Sequence, residues 1–126
     1  MDARIEYFHK DELCSVVTLN EQTGCVKTEN FTNSILDRAF GINESPTLED
    51  VEDFIEDRCF PRSRPNVKET LRFLGLDFYE PLEIVYKTHG VIHGDFYWLR
   101  FEDQKDITWE KDILSMYQSK YLNRAD

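Results

Sequence analysis

The sequence predicts an α+β fold: a small N-terminal antiparallel β-meander packed with a cluster of three to four short helices and one aromatic strand. Three observations carry that expectation. Alternating and β-branched residues fill the first third of the chain, capped helix-period apolar stripes fill the centre, and DFYWLRF alternates again near residues 95–101. A chain of 126 residues fits one domain with one core, so residues 1–126 are read as a single unit, β-rich over 1–33 and helical over 34–126.

The elements follow in order. RIEYF, Arg4 to Phe8, sets Ile5 and Tyr7 on one face of a strand. CSVVTL, Cys14 to Leu19, is β-branched, NEQTG supplies turn residues, and CVKTENF resumes the meander. SILDRAF, Ser34 to Phe40, reads as a short helix or an irregular segment that Gly41 ends. Thr47 with Asp50 three residues on marks a helix start, and Leu48, Val51, Phe54 and Ile55 form its apolar stripe before Cys59, Phe60 and Pro61 end it. Ser63-Arg64-Pro65 is expected to open a second helix, with Val67, Leu71 and Leu74 inward and Gly75 as its stop. A third helix is expected from Pro81 to Thr88, ending at Gly90. Thr108 or Asp106 is expected to cap a last one through DILSMYQSKYL. Phe96, Trp98, Leu71, Leu74, Phe54 and Val51 are expected to share one core.

Composition narrows the function classes. Forty per cent hydrophobic and 13% aromatic residues suffice to fold, which excludes a disordered chain. The apolar runs are short, so no membrane span is expected, and the acid-bearing N-terminus lacks the apolar stretch of a signal peptide. Cys14, Cys25 and Cys59 form an odd set without a CxxC, which predicts reduced thiols in a cytoplasmic protein. Fifteen basic against 25 acidic residues give a net charge of −10. Such a chain is repelled by nucleic acid and anionic membranes and attracted to basic protein surfaces.

His93-Gly94-Asp95 has the look of the HGD of small-molecule phosphotransferases, whose Asp takes the substrate proton and whose Asn five residues on holds magnesium. Here that later position is Arg100, and the glycines are scattered singly instead of forming a phosphate loop. The triplet is therefore read as a turn into the aromatic strand, and no kinase activity is expected. His89 and His93 are four apart, but Gly90 interrupts any helix that would align them on a metal. Cys59 and His89 carry no spacing that marks a nucleophile and its base. No cofactor, metal or catalytic set is expected.

The strongest constellation is electrostatic. Between Glu44 and Asp57 there are seven acids and no base, and helical spacing puts Glu49, Glu52, Asp53 and Glu56 on one outer stripe. Arg58, Arg62, Arg64, Lys68 and Arg72 follow at once, opposed only by Glu69. Two accounts stay open. The basic segment folds back onto the acids, or the stripe imitates phosphates for a basic groove on a protein partner, with Arg58, Arg62 and Arg64 flanking it.

DRCFPRSRPNVKETLRFLGL, KTHGVIHGDFYWLRF and ITWEKDI together carry a resemblance. Through Arg58, Pro61 and Arg64, the Leu71/Leu74 helix, Tyr97-Trp98 and Trp109-Glu110, the chain resembles the N-terminal accessory region of HipA-type serine/threonine kinases of Firmicutes. It is similar as well to small standalone proteins of the same bacteria. The likeness spans about residues 50–113. It implies a non-catalytic accessory part, and Asp95 alone is kept from the family's Leu-Ser-Asp before the aromatic pair. Two functions are thus expected as alternatives. One is an acidic, anti-CRISPR-like inhibitor of a nucleic-acid-binding effector, and the other an accessory or antitoxin-like subunit of a HipA-type kinase. Both act by binding protein, with no direct contact to nucleic acid, and neither fixes an oligomeric state.

Overall fold

Asn20 and Gly24 write the return between the second and third strands into the sequence. The Asn20 Oδ1 accepts the N–H groups of Gln22 and Thr23, each at 3.0 Å, and Gly24 takes a left-handed φ of 72° that a side chain disfavours. A computed structural model describes residues 2–20, 22–92 and 95–116. Strands β1 (Asp2–His9), β2 (Glu12–Asn20), β3 (Cys25–Asn30) and β4 (Tyr97–Phe101) make one antiparallel sheet in the order β3-β2-β1-β4. The fold is α+β with an N-terminal meander. The aromatic strand joins that meander instead of standing in the helical part: Ile5 pairs Phe101 and His9 pairs Tyr97 along the β1–β4 ladder.

Three helices cross one face of this sheet. α1 (Leu48–Asp57) starts as its residues predict, Thr47 Oγ1 accepting the Asp50 N–H at 3.2 Å while Asp50 accepts the Thr47 N–H at 2.9 Å. α2 is shorter than expected, running over Val67–Phe73. The preceding residues are spent in two successive turns, Pro61 O to Arg64 N–H at 3.1 Å and Arg64 O to Val67 N–H at 3.2 Å, because Pro65 disfavours a helical Arg64. α3 spans Pro81–Thr88, with Pro81 in its first turn, and stops where His89 and Gly90 turn left-handed at φ 59° and 62°. SILDRAF resolves into a single 3-10 turn over Ile35–Asp37. Thr108 accepts the Lys111 N–H at 3.3 Å and opens a wide π-turn, Trp109–Ile113, followed by Leu114–Met116 in α form. The remainder of the expected last helix lies outside the described residues.

The expectation of one core needs correcting, because the sheet divides the apolar residues between its two faces. Ile5, Tyr7, Val17, Leu19, Leu99 and Phe101 meet Val51, Ile55, Leu71, Ile84 and Val85 of the helices, with Phe54 packed against them. Trp98 points the other way and joins Phe8, Val91, Trp109 and Ile113 in a separate cluster. Alternation along β4 dictates this, since neighbours on a strand face opposite sides. Trp98 is 1% exposed, stacks on Phe8 with ring centroids 4.6 Å apart, and donates its indole N–H to Lys10 O at 2.7 Å. Phe96, expected inside, is an exposed ring before the strand begins, beneath the Lys10 ammonium at 4.6 Å. Leu74 is only half-buried.

Candidate partner-binding face

The 3.6-residue period of α1 turns Val51 and Ile55 to the sheet and leaves Glu49, Glu52, Asp53, Glu56 and Asp57 exposed on the opposite side. Two of these acids sit badly for the helix itself. Glu56 and Asp57 occupy the last turn, which holds no base, where the carbonyl end of the helix dipole disfavours anions. Asp50 has a different duty: backbone and side-chain hydrogen bonds from Thr47, and then one from Asn43, hold its carboxyl below the usual carboxylate range.

The acidic stripe borders an open groove of about 600 Å³ between α1 and the start of α3. Leu19, Leu48, Ile55 and Leu82 supply an apolar floor, and Glu52, Asp53, Glu56 and Glu80 supply carboxylates. A single cation reaches in from the basic segment. The Arg62 guanidinium lies 4.2 Å from the Tyr79 ring centre and 3.7 Å from a Glu56 carboxylate oxygen, with both ion-pair side chains more than half exposed. Tyr79 is fixed in turn by donating its hydroxyl to Phe60 O. Among the described residues Glu49, Glu52 and Asp53 have no ion-pair partner, and Lys68 and Arg72 project into solvent elsewhere. The internal-pairing account thus accounts for one contact, between exposed groups, of a kind that adds little stability.

Arg58 and Arg64, expected to flank this face, are turned inward instead. Arg58 is 8% exposed. Its Nε donates to Gly90 O at 3.0 Å, its Nη1 and Nη2 grip both Asp95 oxygens at 2.9 and 3.1 Å, and Nη2 donates again to Tyr97 O at 2.8 Å. Arg64 is buried beside the Phe60 ring, 5.6 Å from its centre. The face available to a partner therefore comprises Glu49, Glu52, Asp53 and Glu56 with Arg62 at its rim, and a buried arginine presents nothing to an incoming surface.

Asp95 of the His93-Gly94-Asp95 triplet finds its role through the same arginine. His93 and Gly94 lie outside the described residues, but Asp95 donates its N–H to Ile92 O at 3.3 Å, accepts the Tyr97 N–H at 3.2 Å and receives Arg58. Arg100, which stands where a kinase needs a metal ligand, donates to Glu6 at 2.8 Å and lies over the Phe8 ring at 4.7 Å. Burial pushes the Glu6 carboxyl up, but Arg100 and then Arg4 more than offset this and hold it below its ordinary value. Cys59 donates its thiol to Ile55 O at 3.4 Å, and burial pushes that thiol up to about 12, so it keeps its proton and offers no thiolate at neutral pH.

One arrangement escaped sequence reasoning altogether: the outer edge of β4 is closed by side chains and a loop. Leu99 N–H donates to His89 O at 2.7 Å, and His89 Nδ1–H donates back to Leu99 O at 3.1 Å. Tyr97 is served by Asp95 and Arg58, and the Phe101 N–H by Gln104 Oε1 at 3.0 Å. The only signal in the sequence was the His89-Gly90 pair following a helix, which marks a left-handed stop without saying what it covers.

Comparison with protein-family models, with curated proteins and with solved structures returned no match.

Proposed function

We propose that this protein is a non-catalytic regulator that acts by binding a basic protein surface through the acidic side of α1, imitating the phosphates of a nucleic acid. The carrying observation is the exposure of Glu49, Glu52, Asp53 and Glu56 on one stripe with, among the described residues, a single, exposed counter-charge at Arg62. Like charges at helical spacing cost stability, and acids in the last turn of a helix add to that cost. A stripe kept against both effects is best explained by a partner that neutralises it. An excess of ten negative charges over the whole chain steers the approach to such a partner. The apolar floor beside the stripe supplies the desolvated contact that carboxylates alone lack.

The residues that carry the HipA-type resemblance have a different location. Arg58, Arg64, Leu71, Trp98 and Trp109 are buried, so what they would share with that accessory region is the build of the domain. The surface of α1 is separate from them.

The test is capture of partners from host extract by the tagged chain, followed by elution with duplex DNA. A nucleic-acid-binding protein that duplex DNA displaces, and that a Glu49→Gln/Glu52→Gln/Asp53→Asn/Glu56→Gln variant fails to capture, is the expected result. Equal capture by that variant would defeat the reading. Capture of a serine/threonine kinase that duplex DNA leaves in place would transfer the protein to the accessory-subunit class.

A further inference from the structure

The two edges of the sheet are treated in opposite ways. The outward backbone groups of Tyr97, Leu99 and Phe101 on β4 are met by Asp95, Arg58, His89 and Gln104. Among the described residues the β3 edge has no such cover. Phe31 N–H donates to Cys14 O at 2.8 Å, and antiparallel alternation from that bond turns the backbone of Cys25, Lys27 and Glu29 toward β2. The N–H and C=O groups of Val26, Thr28 and Asn30 therefore point outward, and no other described residue meets them. Proteins that stay monomeric blunt such an edge with prolines, bulges, covering segments or charged side chains; among the described residues β3 has no proline, bulge or cover, and its charges, Lys27 and Glu29, are of opposite sign.

We infer that β3 pairs with β3 of a second copy of this chain, antiparallel across a two-fold axis at Thr28, joining two four-stranded sheets into one. The side chains select this register. Lys27 and Glu29 are exposed on the same side of β3. With Thr28 opposite Thr28, Lys27 of each copy faces Glu29 of the other, giving two cross-strand ion pairs. Shifting the axis to Lys27 sets lysine against lysine, and shifting it to Glu29 sets glutamate against glutamate. Only the Thr28 register is both charge-complementary and centred on the strand.

Two further observations fit this register. The axis sets the half-buried Thr28 side chains of the two copies opposite each other, a threonine pair of the kind that stabilises adjacent strands. The same register sets the exposed Cys25 of each copy opposite the exposed Phe31 of the other. An edge that continues into exposed apolar residues, Phe31, Ile35, Leu36 and Ile42, gains from a covering copy. A self-complementary strand is what an isologous contact requires.

Sedimentation velocity over a concentration series tests the inference, which is independent of the acidic face of α1. The wild-type chain is expected to associate to a dimer. Lys27→Glu alone and Glu29→Lys alone should each weaken it about tenfold or more, since each replaces two attractive pairs by two repulsive ones. The double reversal should restore it. Thr28→Pro should abolish the dimer while leaving the melting transition in place, because the lost N–H serves no bond inside the fold. Phe31→Cys should cross-link to Cys25 of the other copy under mild oxidation, and adding Cys25→Ser should prevent this. A chain monomeric at every concentration would overturn the inference. So would a dimer indifferent to both single reversals, which would place the contact on another face.

Discussion

Arg58 and Asp95, 37 residues apart in sequence, form a two-pronged ion pair at 2.9 and 3.1 Å that locks the C-terminal end of α1 to the start of β4. The pair does more than join charges, because the same guanidinium also satisfies Gly90 O and Tyr97 O. Arg58→Ala is therefore expected to destabilise the fold by about 3 kcal/mol, the scale for removing one partner of a buried pair. Arg58→Lys should recover only part of this, since an ammonium cannot reproduce the fork. Urea denaturation checks both. Losses within about 0.5 kcal/mol, the range of ordinary surface changes, would show that the lock is dispensable.

The division of the core by the sheet predicts additivity. Trp98→Ala should cost about 3–5 kcal/mol and Leu71→Ala about 2–5 kcal/mol. They lie on opposite faces without shared partners, so the double variant should lose the sum within about 0.5 kcal/mol. A large coupling energy would mean that the two clusters behave as one.

His89 makes stability depend on pH. Burial disfavours its imidazolium and lowers its pKa, against smaller opposing contributions from Leu99 O and Asp112. The unfolded chain binds that proton near the ordinary value of about 6.5. Below that pH the unfolded state therefore holds more protons, so the contribution is complete above about 6.5 and is lost as pH falls toward the folded value. His89→Asn retains a residue type that tolerates the left-handed φ while removing the titration. Melting temperatures of wild type and variant should diverge in pH response across this window. Parallel curves would refute the assignment.

The acidic stripe of α1 gives a prediction of sign. Converting Glu49, Glu52, Asp53 and Glu56 to their amides removes mutual repulsion and one exposed ion pair. Stability should stay equal or rise slightly, because helix propensities change little for Glu→Gln and exposed pairs contribute under about 1 kcal/mol. A clearly lower melting temperature would mean that the carboxylates serve the fold.

Much of the local architecture was legible in the residues. Asn20 and Gly24 specify a turn, Thr47 and Asp50 specify a helix start, Gly75 stops a second helix, and Pro81 and Gly90 open and stop a third, because each acts within a few residues of itself. The amphipathic period of α1 likewise set the acids outward with no help from the rest of the chain. These are short-range effects of sterics, capping and periodicity, and the sequence by itself determined them.

Tertiary structure decided what lies across space. Alternation states that Tyr97 and Trp98 face opposite ways, but only the pairing of β4 with β1 decides that the tryptophan joins Phe8 and Trp109 beneath the sheet. A run of basic residues after an acidic helix reads as a solvated patch. Arg58 instead turns inward because three separate acceptors, 32 to 39 residues away, converge on one guanidinium and together offset its desolvation. Whether an edge strand is closed or open depends on which segment passes beside it. The chain closes β4 with Arg58, His89, Asp95 and Gln104 and, among the described residues, leaves β3 bare, a choice made by long-range packing and by no pattern within either strand.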